Sequence, residues 1–116
     1  MALVLCTGVD FALVKTRQLI LQQAGHTVVT AMDEPAVVSA CQQHKFDVAV
    51  IGQTVSSQTK RQVNSLVRQH CPTAKVLELY RFSLGKVLED ADGWLEVPMD
   101  IPQELAERVS TLARDS

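Results

Sequence analysis

Aromatic residues are scarce in this sequence, 4% of 116 residues, although 47% of the chain is hydrophobic. Its core must therefore be aliphatic, as in sheets whose parallel strands are buried on both faces. Cysteine is limited to Cys6, Cys41 and Cys71, an odd number, widely spaced and without a Cys-x-x-Cys pair. That argues against a disulfide framework and fits reduced thiols in a cytoplasm. His26, His44 and His70 fall one per element, which argues against a metal site. The formal net charge is −2, with no long run of one sign. The clustered basic face that a nucleic acid needs is missing. No apolar run approaches the roughly 20 residues that cross a bilayer. MALVLCTGVD at the start lacks the basic region and cleavage site of a signal peptide. The expectation is one cytoplasmic domain over 1–116, with no nucleic acid, membrane, metal or cofactor bound and no disulfide.

Short apolar runs alternate with longer amphipathic segments. ALVLC (2–6), HTVVTAM (26–32), DVAVI (47–51), AKVLELY (74–80) and ADGWLEV (91–97) read as strands. The segments 10–25, 33–45, 56–71 and 100–114 read as helices. In the first, Leu13, Ile20 and Ala24 are expected to point inward, with Val14 and Leu21 beside them, and Gly25 suits a left-handed stop. In the third, Val63, Leu66, Val67 and His70 share a face. Asp33 with Pro35 suits a helix start, and Asp100 with Gln103 has capping-box spacing. Between Tyr80 and Ala91 stands RFSLGKVLED, room for about two helical turns at most, with Gly85 weakening them. Five β-α units with right-handed crossovers give a single doubly wound parallel α/β sheet, flavodoxin-like, of order 2-1-3-4-5, with a short or missing fourth helix. Sites in such sheets lie at the C-terminal strand ends. Here these are Cys6-Thr7-Gly8, Gly52-Gln53-Thr54, Tyr80-Arg81 and Val97-Pro98.

FDVAVIGQT (46–54), QLILQQAGHTVVTAMD (18–33) and above all ADGWLEVPMDIPQELAERV (91–109) resemble the receiver (CheY-like) domain of bacterial response regulators. The resemblance covers essentially the whole chain and implies a phosphorelay signalling module, not an enzyme. In that family the third strand ends on the phospho-accepting aspartate. Here Gly52 stands there. The family's lysine before proline is Val97 here, followed by Pro98, where the family often has a cis bond. Trp94 falls on the switch aromatic. Tyr80, or Leu79 if the register slips by one, falls where the family has threonine or serine. The adjacent acidic pair that holds magnesium is replaced by Cys6-Thr7-Gly8-Val9, with Asp10 the one nearby carboxylate. Mg²⁺ wants near-octahedral oxygen ligands, typically carboxylate and phosphate. What the resemblance implies here is thus a pseudo-receiver, acting by protein contacts.

Each sharp reading has a plainer one. Asp10 is a surviving metal ligand or the cap of the first helix, and Asp is a preferred cap. Cys6 is a phosphotransferase-type nucleophile in a loop with Thr7 and Gly8, or a buried structural thiol. Ser56, Ser57 and Thr59 are kinase targets or, more simply, caps of the third helix. The vacated acidic site is a small-ligand pocket in a sensor reading. A shortened fourth helix is expected to uncover Phe82, Leu84, Val87 and Leu88 beside Trp94. That surface is an interface for a protein partner or a symmetric homodimer.

Overall fold

The computed structural model describes residues 2–98 and 102–114. Along the chain run β1 (Leu3–Thr7), α1 (Phe11–Gln23), β2 (Thr27–Ala31), α2 (Glu34–Gln43), β3 (Val48–Ile51), α3 (Ser57–His70), β4 (Lys75–Arg81), β5 (Gly93–Val97) and α4 (Gln103–Arg114). The strands pair in parallel in the order β2-β1-β3-β4-β5. Each strand sends alternate side chains to opposite layers. Cys6, Val50, Leu79 and Val97 meet α1 and α4 through Val14, Leu21, Leu105 and Val109. Leu5, Ile51 and Val76 meet α2 and α3 through Val37, Cys41, Val63 and Val67. Every residue of β3 is buried, as its unbroken VAVI requires.

Helix starts follow their capping side chains. Asp10 accepts from the Leu13 N–H at 3.2 Å, Asp33 from Ala36 at 2.8 Å and Ser56 from Thr59 at 3.2 Å. Each satisfies a first-turn donor that the helix itself leaves unpaired. Gly25 ends α1 with φ +93°, where only glycine is free of strain. The Val97-Pro98 bond is cis. Gln103 opens α4, but its expected partner Asp100 lies outside the described residues.

The inward face of α1 differs from the expected one. It is Val14, Arg17 and Leu21 that are buried, while Leu13 and Ile20 are half-buried and Ala24 is exposed. These three are spaced three and four apart, as one helical stripe must be. A cation in its middle disguises the stripe. On α3 the buried positions are Lys60, Val63, Asn64 and Val67, and Leu66 and His70 are only half-buried.

The β-α alternation contains four helices among the described residues, not five. Residues 82–92 form turns and no helix, with Gly85 at φ +75°. What orders this segment is a buried carboxylate. Glu78, wholly buried in β4, accepts from the backbone N–H of Val87 at 2.9 Å and of Leu88 at 2.8 Å. The Lys60 ammonium donates to Glu78 at 2.8 Å and to the Leu79 carbonyl at 2.9 Å. One and two turns along α3 from Lys60, Asn64 donates to Asp90 at 3.0 Å, and Arg68 donates to Asp92 at 3.1 Å and to the Asp90 carbonyl at 2.6 Å. Asp92 in turn accepts from Val76 N–H at 2.7 Å. A polar stripe at 60, 64 and 68 thus holds the turns where a helix is expected to pack. The consequence corrects one expectation: Leu88 is not uncovered but 3% exposed, and Val87 is half-buried.

Two outcomes follow from these contacts. Glu78→Ala leaves a buried ammonium and two buried N–H groups without their acceptor, and should cost about 3–5 kcal/mol by denaturant midpoint. The second concerns His26, whose Nδ1 accepts from Ala2 N–H at 3.1 Å and whose Nε2 lies 3.1 Å from Ser110 Oγ. Burial foremost, and the N-terminal ammonium next, hold its pKa below the ordinary 6.5. The unfolded chain therefore takes the proton first as pH falls, so stability is full above about 6.5 and declines below it. Unfolding midpoints between pH 7.5 and 5 should fall in the wild type and fall less in His26→Gln.

Candidate functional site

The C-terminal ends of β1, β3, β4 and β5 converge where sheets of this order place their sites. Gly52 follows β3 on the side of the sheet that faces α1. A side chain there would begin 3.0 Å from Arg17 Nη1 and 3.2 Å from the Thr7 carbonyl oxygen. The missing side chain therefore leaves no cavity at this point, because the Arg17 guanidinium fills it. A pocket of about 200 Å³ opens beside it, lined by Thr7, Gly8 and Val9, where the expected acidic pair is replaced, and by Asp33, Val55 and Thr59. Arg17 is 5% exposed, donates from Nη2 to Gln53 Oε1, and has no ion pair among the described residues. Burial lowers its pKa from 12.5, opposed by the nearby Cys6 and Asp10. Arginine nevertheless stays protonated in proteins. The end of β3 thus carries a fixed, buried positive charge.

The remaining candidates sort by face. Val97 lies in the same layer as Leu79 and Val50, on the α1 side. Ile51 pairs with Glu78, so Gly52 comes next to Leu79 and not Tyr80. Tyr80 alternates to the other face, where the Lys86 ammonium lies 5.8 Å from its ring centre and 4.9 Å from that of Trp94. Of the two residues left open for that position, Leu79 shares the α1 side with Gly52, while Glu78 and Tyr80 face the α3 side. Trp94 is half-buried, and its Nε1–H donates to the Leu88 carbonyl at 3.0 Å. Asp10 serves as the α1 cap.

Cys6 is buried, and burial pushes its thiol up to about 12. An activated nucleophile needs the opposite shift and access to solvent, and the buried Cys6 sulfur has neither. Cys41 is raised likewise by burial and by its contact with Cys71. Among the described residues no three His, Cys, Asp or Glu side chains gather as metal ligands, and no helix is long and apolar enough to cross a membrane. Of the expected interface, Phe82 and Leu84 stand out at 81% and 74% exposed.

No protein-family model matches the chain, and no curated protein does. Solved structures resemble it closely in shape. The chemotaxis response regulator CheY4 of Vibrio cholerae aligns with a TM-score of 0.78 and 25% identity, over 97% of this chain and 98% of that one. A CheY-like response regulator receiver domain from Methanospirillum hungatei JF-1 gives 0.82 and 16% identity, over 99% and 95%. A structure of adenylate cyclase from Rhodopirellula baltica gives 0.83 and 16%, over 97% and 87%. The fold is that of the receiver domain of two-component signalling.

Sequence reasoning missed Arg17, Lys60 and Glu78. Each carried a signal. Glu78 is a lone carboxylate inside an apolar strand, and a buried charge needs a partner. Arg17 lies between Val14 and Leu21 on one helical stripe. Lys60, Asn64 and Arg68 repeat every four residues.

The geometry at Gly52 generates a double-mutant test. Gly52→Ala should destabilise by about 1–3 kcal/mol, since the added carbon crowds a guanidinium and a fixed carbonyl. Arg17→Met in the same background should recover part of that loss, so the two changes should be non-additive in denaturant midpoint. Strict additivity would place Arg17 elsewhere.

Proposed function

We propose that this chain is a receiver-like signalling module that is not phosphorylated, is not itself an enzyme, and acts through protein contacts. One observation carries the reading: Arg17 lies against Gly52, at the position where the resemblance puts the acceptor aspartate. Phosphoryl transfer to a receiver needs a carboxylate nucleophile and oxygen ligands for Mg²⁺. A glycine supplies neither, and a guanidinium repels the ion. The sensing ammonium is also replaced, by Val97, which is buried in apolar surroundings. With that chemistry gone, what such a module offers is surface. Its output face includes Phe82 and Leu84, on the turns that stand between β4 and β5. The partner on this reading is another protein or a second copy of the chain, and the setting is the cytoplasm.

The test is incubation with acetyl phosphate and Mg²⁺, followed by intact mass. No base-labile adduct should form. A stoichiometric adduct mapping to Asp10 or Asp47 would falsify the reading. Sedimentation equilibrium on the wild type and on Phe82→Asp tests the second copy: self-association that the variant loses identifies it, and a strict monomer excludes it.

A further inference from the structure

Beside the filled Gly52 site is an open cleft that the receiver chemistry does not use. It has a volume of about 460 Å³ and lies between the start of α3 and the turns after β4. Its polar wall is Gln53, Thr54, Ser56, Ser57, Lys60 and Arg81, and its apolar wall includes Val55 and Leu84. No carboxylate side chain lines it among the described residues. The polar wall is also biased toward donors. Gln53 has its carboxamide oxygen occupied by the Arg17 guanidinium, which leaves its NH₂ to donate. Lys60 is neutralised by Glu78. Arg81 has no ion pair among the described residues and is exposed, so it brings the uncompensated charge.

We infer that this cleft binds an acidic side chain on an apolar segment of a partner protein, the carboxylate meeting Arg81 and Gln53 and the apolar neighbours covering Leu84 and Phe82. Charge complementarity selects the anion, because the cleft carries a guanidinium without an ion pair and no carboxylate lines it among the described residues. The two exposed apolar side chains select the source. A small inorganic anion would leave Phe82 and Leu84 in water, whereas a peptide removes both. Arg81 and Phe82 follow one another at the end of β4 and both line the neighbouring cleft, and Arg and aromatic side chains are the types that carry binding energy at interfaces. The inference deepens the proposed function and rests on its contact-mediated output.

The experiment is a titration of ¹⁵N-labelled full chain with the hexapeptide acetyl-Asp-Glu-Leu-Phe-Glu-Leu-amide, with the Asn/Gln version of the same peptide as control. Amide shifts should concentrate at Gln53–Ser57 and Arg81–Val87, and the neutral peptide should bind about tenfold more weakly. Arg81→Glu, an exposed change, should abolish the shifts, and Arg81→Lys should retain part of them. Equal binding of the two peptides, shifts on other surfaces, or no binding up to millimolar concentration would overturn the inference. So would inorganic phosphate that reproduces the shifts and competes with the peptide, which marks a small-anion site. None of these outcomes depends on whether acetyl phosphate modifies the chain, so the two readings fail separately.

Discussion

The Glu78 carboxylate is the constraint on which the second half of the structure depends. Burying an ionised group costs several kcal/mol unless its lone pairs are used. Here Lys60 and the N–H groups of Val87 and Leu88 use them together. The same contacts fix the path from β4 to β5 without a helix. Leu88 is carried inward, its carbonyl receives the Trp94 indole, and the chain is set to enter β5 in register with β4. Asn64 and Arg68 extend the fastening along α3 to Asp90 and Asp92. A helix would have supplied these turns with internal hydrogen bonds. In its absence, side chains from a neighbouring helix and strand do so.

A second buried cation acts on the other side of the sheet. Arg17 reaches from α1 to the end of β3 and holds Gln53, while Gly52 makes the room. The two features are coupled through chain connectivity: Gln53 leads into the loop that Ser56 caps, and α3 then delivers Lys60 to Glu78. The strand ends are thus organised by fixed guanidinium and ammonium groups. On the proposed reading, a working receiver would organise the same region with carboxylates and a metal, and the sign of the local charge is reversed here on a shared backbone. A fold shared at 16–25% identity with receiver structures is compatible with either sign, because the aliphatic layers that build it do not touch this chemistry.

That separation explains what could be read in advance. Strand order and layer structure were legible because unbroken runs such as VAVI are buried on both faces and helices begin on Asp10, Asp33 and Ser56. The missing helix was legible from Gly85 and the shortness of RFSLGKVLED. The inward positions of α1 were not, because Arg17 breaks the hydrophobic stripe it belongs to. The choice between Leu79 and Tyr80 stayed open for a related reason: in AKVLELY, nothing local says which of them shares a face with Gly52, and Glu78 fixes the facing through a partner 18 residues away. Leu88 was expected outside because a missing helix would uncover its apolar neighbours, and its burial depends on a backbone bond to that same carboxylate. Long-range charge pairs are what a single sequence conceals.

A switch needs two states of comparable free energy and a ligand that favours one of them. In a receiver that ligand is the phosphoryl group with its metal. On the proposed reading, this chain keeps the frame and replaces the ligand with side chains that are always present. Arg17 is covalently part of the chain, and so is Lys60, so neither can bias an equilibrium by arriving or leaving. The strand ends are then held in one arrangement whatever the phosphate or magnesium level. Information has to enter at the surface, through a partner whose presence or absence changes, and the coupling cannot exceed that partner's own differential affinity. The exposed Arg81, Phe82 and Leu84 lie next to the turns that Glu78 pins. A contact there presses on ordered backbone rather than on a loose loop, so little ordering entropy opposes it. The buried ion pair that stands in for a helix therefore also preorganises the surface that the chain presents.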